Sequence, residues 1–380
     1  MAVKAYEKRD SFDSFRSKQV FDPSAIRERV KRIESGILRG EGSYFNKIVA
    51  AAIRDILDPS PSPAKFALSP HAFNEITRVS DEMLSRYLFY RYRYDVFPRT
   101  FQKDDFPPCI QVEVTSICNY RCVFCYQIDT SLTARDQGHM GMMPFPLFQR
   151  VIDEAEGKCE AVTLASRGEP LANNNLVKML HYMKGKFLAS KVNTNASLLT
   201  EEVAHGILES GLSILVFSCD AADEKLYRQL RVRGDLQTVL KNIRRFKDIK
   251  EKYYPDSRLI TRVSGVKADP RQSMETMSSL WSELVDEIAF VNYNPWENTY
   301  AQPENNEERP CSDLWRRCFV WWDGRVNPCD TDYLSKLSVG NVNQTSIQEL
   351  WGSGPYQELR THHFHKDRRH FDPCKRCVLV

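Results

Sequence analysis

Apolar positions change their rhythm twice along the chain. Up to residue 107 they recur at helical spacing: Ile26, Val30, Ile33 and Ile37 fall on one face, and NKIVAAAIRDIL (46–57) reads as a second helix. Three prolines in DPSPSPAK (58–65) interrupt the pattern. Ser69-Pro70, an N-cap followed by proline in the first turn, then opens a long helix that includes FNEITRVSDEMLSRYLFYRY. Its Tyr87, Tyr90, Arg91, Tyr92 and Arg93 are spaced to pack a helix on a neighbouring domain. From residue 110 the period shortens. IQVEVT, AVTLAS, SKVNTN, SILVFS, RLITRVSG and EIAFVNYN read as strands, separated by helical stretches such as the stripe Leu236, Val239, Leu240, Ile243 and Phe246. Repeated strand–helix units predict a parallel sheet, either doubly wound or rolled into a barrel. Past residue 300 the alternation stops.

Composition narrows this picture. With 380 residues, 42% of them hydrophobic, the chain can bury one large domain with smaller appendages. The natural division is a helical N-terminal extension over 1–107, a core over 108–300 and a C-terminal domain over 301–380. A net charge of +3 gives no electrostatic case for nucleic acid. No apolar run approaches membrane-spanning length and the first fifteen residues hold no signal-like stretch, so the expected location is the cytoplasm. Thiols stay reduced there, and eleven cysteines read as metal ligands or catalytic groups before they read as disulfides.

Three of them, Cys118-x3-Cys122-x2-Cys125, follow the first strand of the alternating region. Parallel α/β folds place their chemistry at that end of a strand. Three thiolates leave a [4Fe–4S] cube one iron short of a protein ligand, whereas zinc would need a fourth ligand from elsewhere in the chain. The full motif, with the aromatic Phe124 before its last cysteine, resembles the radical S-adenosylmethionine (radical SAM) superfamily. That resemblance implies a partial (β/α)6 parallel barrel and a cluster whose open iron binds the amino and carboxylate groups of SAM, for release of a 5′-deoxyadenosyl radical. SRGEP is similar to the family's Gly-Gly-Glu segment, with Arg167 at its first glycine, so that Gly168 and Glu169 carry over and Glu169 meets the SAM amine. NTNAS and FSCD resemble segments lining the SAM ribose and methionyl groups, which assigns Asn195 and Ser218; LRVRGDLQTVLKNI resembles the stretch whose arginine pairs with the SAM carboxylate, which assigns Arg231, with Arg233 as the alternative. Phe124 joins this SAM-binding set.

A second group, Cys311-x12-Gly324-x4-Cys329 with Cys374-x2-Cys377, suits a zinc knuckle or an iron–sulfur cluster equally when taken by itself. Beside a radical SAM core it resembles the SPASM and twitch domains, and the twitch-type 2-deoxy-scyllo-inosamine dehydrogenases in particular. The chain stops three residues after Cys377, so the resemblance implies one auxiliary [4Fe–4S] cluster ligated by Cys311, Cys329, Cys374 and Cys377. Four thiolates close that cluster to substrate and leave it electron transfer. Cys318 falls between these ligands and is a candidate hydrogen-atom donor, an alternative ligand or an inert thiol; Cys109, Cys159 and Cys219 read as small buried residues. The four histidines of THHFHKDRRHFDPC read as an exposed segment, and Tyr293, Asn294 and Trp296 lie at the sixth strand's exit.

The resulting expectation is a radical SAM oxidoreductase, a dehydrogenase or an epimerase, abstracting hydrogen from a polar small-molecule substrate such as a sugar or aminocyclitol. Its electron donor would be a flavodoxin or ferredoxin, with no nucleic acid or membrane partner. A peptide-modifying SPASM-type maturase is the alternative enzyme, and a zinc- or cluster-stabilised binding module the non-enzymatic one.

Overall fold

The computed structural model describes residues 14–18, 22–39, 42–58, 60, 62, 65–293 and 295–378. Residues 1–13 of the expected helical extension therefore lie outside the described residues. Among the described residues the extension is not purely helical: a strand, β1 (Ser14–Ser17), precedes helices α1 (Pro23–Arg39), α2 (Tyr44–Leu57), α3 (Pro70–Thr77) and α4 (Asp81–Thr100). The single long helix expected after Ser69 is two. Ser69 accepts from the Ala72 amide and caps α3, the helix ends at Thr77, and Ser80 followed by Asp81 and Glu82 starts another where acidic groups suit a helix N-terminus. Arg29 of α1 donates to the Ile76 carbonyl at the break (2.8 Å), which the Val79 amide also reaches (3.2 Å).

The alternating region supplies β2 (Cys109–Val112), β3 (Arg121–Cys122), β4 (Ala161–Leu164), β5 (Ala189–Thr194), β6 (Ile214–Ser218), β7 (Arg231–Val232), β8 (Ile260–Lys267) and β9 (Glu287–Asn292). The last part of the chain adds β10 (Arg317–Val320), β11 (Arg325–Asn327) and β12 (Gly340–Asn341). One sheet runs β1-β9-β8-β6-β5-β4-β2-β10-β11-β12, parallel from β9 to β10 and antiparallel at both ends, while β3 and β7 pair separately. The six expected strands β2, β4, β5, β6, β8 and β9 are all present, and they form the partial (β/α)6 barrel.

One join was not expected. Strand β10 of the C-terminal domain hydrogen-bonds in parallel along β2, with Arg317 opposite Cys109 and Val320 opposite Val112. The hairpin from β10 to β11 turns at Gly324, whose φ of +89° suits glycine and where a Cβ would lie 2.6 Å from the Asn341 side chain.

Alternation sorts the strand residues onto two faces. Ile110, Val112, Val162, Leu164, Val192, Leu215 and Phe217 are buried in the main apolar core, to which the helices Phe145–Ala155, Leu176–Met183 and Leu236–Tyr253 contribute. The opposite face lines a cavity of about 470 Å³. Helices α3 and α4 close the cavity at the strands' N-terminal ends with His71, Glu75, Tyr90, Arg91 and Tyr94. The aromatic run of α4 thus packs on the barrel, as its spacing predicts: Tyr87, Tyr90, Arg91 and Arg93 are all buried, and Arg86 forms a two-point ion pair with Glu160 (2.7 and 2.8 Å). Among the described residues no helix is long and apolar enough to cross a membrane.

Candidate active site and metal centres

The loop after β2 carries Cys118, Cys122 and Cys125. It is fixed from three sides. Cys122 lies on β3, paired with Arg231 on β7. The Glu169 amide donates to the Ile117 carbonyl (2.9 Å), and the Gln127 side chain donates to the Ser116 carbonyl (2.7 Å). Gly168 passes so close to this loop that a Cβ would sit 2.2 Å from the Thr115 carbonyl oxygen, so the Gly-Glu pair is a packing requirement as well as a motif. Burial, followed by the negative charge of Glu169, pushes the Cys118 thiol up to about 12, and burial raises Cys122 and Cys125. Only a strongly bound cation would hold these three as thiolates.

The expected SAM residues converge on one end of the cavity. Glu169 is buried and accepts from Thr194 Oγ1 (2.5 Å) and from the amides of Asn195 (2.7 Å) and Leu171 (3.0 Å). All three donors are uncharged, burial raises its pKa, and no cation lies within ion-pair range among the described residues, so the carboxylate is set for an incoming ammonium. Asn195 reaches the cysteine loop through Asn119 (2.9 Å). Ser218, Phe124 and Arg231 line the same end. Arg231 is ion-paired with Asp220 and donates toward Cys122 Sγ (3.7 Å), whereas Arg233 is exposed, so of the two arginines the structure brings Arg231 to the site. Trp296 is drawn in as well, donating to the Phe124 carbonyl (2.6 Å); Tyr293 stays exposed against Glu297, and Asn294 lies outside the described residues.

The second cysteine set is assembled from distant stretches. Burial first, and then Asp332 and the thiols of Cys374, Cys311 and Cys377, raise Cys329, so the four share one locality. Buried Arg368 ties the Arg309 carbonyl (3.2 Å) to that of Cys377 (3.1 Å). The Cys311 amide donates to His363 Nδ1 (3.1 Å), so this one histidine is buried and departs from the expected exposed segment, whereas His365 and His370 are exposed. The rest of that segment lies on the helix Gly354–Phe364 and after it, and Glu358, His362 and His370 bring their ligand atoms within 4.8 Å of one another, an arrangement able to hold a metal ion.

Three thiols in the first set and four in the second match the donor sets of one open and one fully ligated [4Fe–4S] cluster.

Cys318 is placed elsewhere. On β10 it aligns with Ile110, fully buried in the apolar core, while Arg317 beside it faces the cavity. The sheet separates its thiol from the cavity, so the hydrogen-donor role considered for it is not supported. Cys159 and Cys219 are buried apolar residues as expected; Cys109 is buried too, but on the cavity side. Sequence reasoning missed the pair Glu113–Arg167. Both side chains are 0% exposed, joined by two 2.6 Å hydrogen bonds, and Arg167 also donates to the Tyr333 carbonyl (2.8 Å) and lies over Trp321. Arg167, where the family has glycine, thus binds the barrel rim to the C-terminal domain. The charged Glu113 inside the apolar run IQVEVT was its one visible signal.

Comparison with known proteins agrees with this arrangement. Residues 112–255 match the radical SAM superfamily, and residues 311–378 match the SPASM iron–sulfur cluster-binding domain. A tungsten-containing aldehyde ferredoxin oxidoreductase cofactor-modifying protein of Pyrococcus furiosus is 22% identical over 66% of this chain and 82% of its own length. A GTP 3′,8-cyclase of Desulforamulus reducens is also 22% identical, over 49% of this chain but only 57% of its own length. Among solved structures, BtrN in complex with AdoMet and 2-DOIA superposes with a TM-score of 0.51, 16% identity and coverage of 73% of this chain and 95% of BtrN. Streptococcus suis SuiB bound to precursor peptide SuiA gives 0.53 at 13% identity, covering 90% of this chain and 84% of SuiB. With one cysteine set beside the cavity end that gathers the expected SAM residues and a second set in the last part of the chain, the chain carries a radical SAM domain followed by a SPASM iron–sulfur cluster-binding domain.

Proposed function

We propose that this radical SAM enzyme removes a hydrogen atom from a C–H bond of a polar small molecule and releases it oxidised, two hydrogens poorer. One observation carries the reading. The cavity extends from Glu169, Asn195 and Ser218 at the SAM end to Asp330 and Thr331, which directly follow Cys329 of the auxiliary set. A substrate held there would lie between both cofactor sites. When bound, SAM and the first cluster supply the 5′-deoxyadenosyl radical, and the auxiliary cluster supplies an electron acceptor. The chain's own part is positional: Glu169 and Arg231 orient the SAM amino-acid group, Trp296 pins the cysteine loop, and the floor of α3 and α4 closes the far end. Epimerisation requires a hydrogen donor on the opposite face of the substrate, and the placement of Cys318 weighs against it. We further propose a cytoplasmic enzyme reduced by a flavodoxin or ferredoxin. A peptide substrate is the second reading, supported by the fold shared with SuiB.

The reduced, anaerobically reconstituted protein is offered candidate substrates deuterated at single carbons. Deuterium should appear in 5′-deoxyadenosine, with a product two mass units lighter than unlabelled substrate. A product of unchanged mass carrying solvent deuterium would establish epimerisation instead, and label transfer from a peptide alone would establish the second reading.

A further inference from the structure

We propose that the lower barrel cavity binds an anionic oxygen group of the substrate, a carboxylate or a phosphate, through Lys191 and Arg317. This rests on the reading of the cavity as a substrate site. Lys191 stands at the middle of β5, in register with Thr163 on β4 and Ile214 on β6. The alternation of β5 points Ala189, Lys191 and Asn193 into the cavity, with Gln111 of β2 in register with Thr163 and Arg317 of β10 on the same face. Such positions in a barrel are commonly filled by apolar side chains. Here they carry charge.

The charges do not balance locally. Arg91 has Asp95 (2.8 Å) and Arg262 has Glu287 (2.6 Å). Arg316 and Arg317 must share Asp313 (3.2 and 3.6 Å). Glu75 is engaged by the Tyr87 hydroxyl (2.9 Å). Lys191 has neither an ion-pair nor a hydrogen-bond partner among the described residues. Burial, with Arg317 and Arg262 nearby, pulls its pKa down to about 8, so it remains mainly charged at neutral pH. The same positive field reaches His71, which burial together with Arg91, Arg262 and Lys191 holds neutral.

Among the polar atoms lining this cavity without a hydrogen-bond partner are Arg317 Nε, which stands 3.6 Å from Asp313, and Asn193 Oδ1. Buried polar atoms without partners are rare in folded proteins and mark where water or a ligand belongs. Two cationic donors with an amide acceptor one strand step toward the SAM end suit a hydroxylated molecule. Its anionic end would meet Lys191 and Arg317, and a hydroxyl would donate to Asn193. An aminocyclitol would bring its ammonium into like charge, so the anionic end narrows the substrate class beyond a sugar or aminocyclitol.

The test uses the full-length reconstituted protein with SAM and no reductant, so that binding is read apart from radical chemistry. Inorganic phosphate and malonate are titrated separately by calorimetry at fixed ionic strength. One of them should bind once per chain, and which one binds distinguishes a phosphate from a carboxylate. Lys191→Met should weaken that binding about tenfold or more, as expected for loss of a charged hydrogen bond. Lys191→Arg should largely keep it, and Lys225→Met, an exposed control, should leave it unchanged. A second readout needs no variant: the bound anion should raise the melting temperature of the wild-type protein relative to chloride at equal ionic strength. Absence of saturable binding by both anions, or equal binding by Lys191→Met, overturns the proposal. Protein that cleaves SAM but binds no anion refutes this inference alone; protein that binds the anion but transfers no deuterium refutes the enzymatic reading alone.

Discussion

The two cysteine sites meet a similar chemical demand by opposite routes. The first takes three cysteines from the eight residues 118–125, on one loop anchored by its own strand end and by Gly168 and Glu169. The second gathers four cysteines from 311 to 377, across a hairpin, three α-helices and the turn that follows them. A local loop can present its thiols once a single strand–loop unit has formed. A dispersed set exists only when the whole C-terminal domain has folded, so metal binding there is also a contribution to folding. On the proposed ligation, the open coordination position sits on the self-contained loop and the closed site doubles as a clamp.

The largest test replaces each set in turn. The triple alanine variant of Cys118, Cys122 and Cys125 should lose SAM cleavage altogether and fall from about eight irons per chain to about four. Cys329→Ala should show the same iron loss yet keep slow SAM cleavage while forming no oxidised product, and it should also melt earlier. Equal loss of SAM cleavage in both variants would erase the distinction. Zinc in the triple variant without cluster absorbance would show that the second site is a structural zinc.

A smaller effect is expected where the regions meet. Arg167→Met leaves Glu113 buried without its cation, which should destabilise the protein by about 3–5 kcal/mol in denaturant unfolding. Arg228→Met, which breaks surface pairs with Glu224 and Asp235, should leave the transition nearly unmoved. If the two variants unfold alike, the rim pair is not the joint described above. The smallest effect belongs to Cys318→Ala: turnover should persist, at a stability cost of about 1 kcal/mol for the void left by the sulfur. Loss of product formation with SAM cleavage intact would return Cys318 to the chemistry.

The sequence displays this architecture unevenly. The six barrel strands and the first cysteine loop are legible because their signals are local: apolar runs with period two, a fixed ligand spacing, and glycine where the backbone crowds. The break between α3 and α4 escaped detection although Ser80-Asp81-Glu82 is a helix-start signal, because the apolar periodicity continues through Arg78 and Val79. Pairing of RCFV with CIQV escaped for a different reason. The segments lie about two hundred residues apart, and nothing in four apolar-leaning residues names the edge they will join. Lys191 illustrates a third limit. Within SKVNTN it reads as a polar residue on an alternating strand, and only the assembled barrel reveals that its alternate face is an interior.

The rungs between β2 and β10 reach beyond secondary structure. A linker between domains would let the auxiliary site wander, and the path of an electron would lengthen and shorten with each excursion. Four residues of shared ladder make the joint a beam instead of a hinge. On the proposed oxidation, the gap between the two cysteine sites is then set by the hydrogen-bonded ladder, and rigid spacing of this kind would give every turnover the same tunnelling distance.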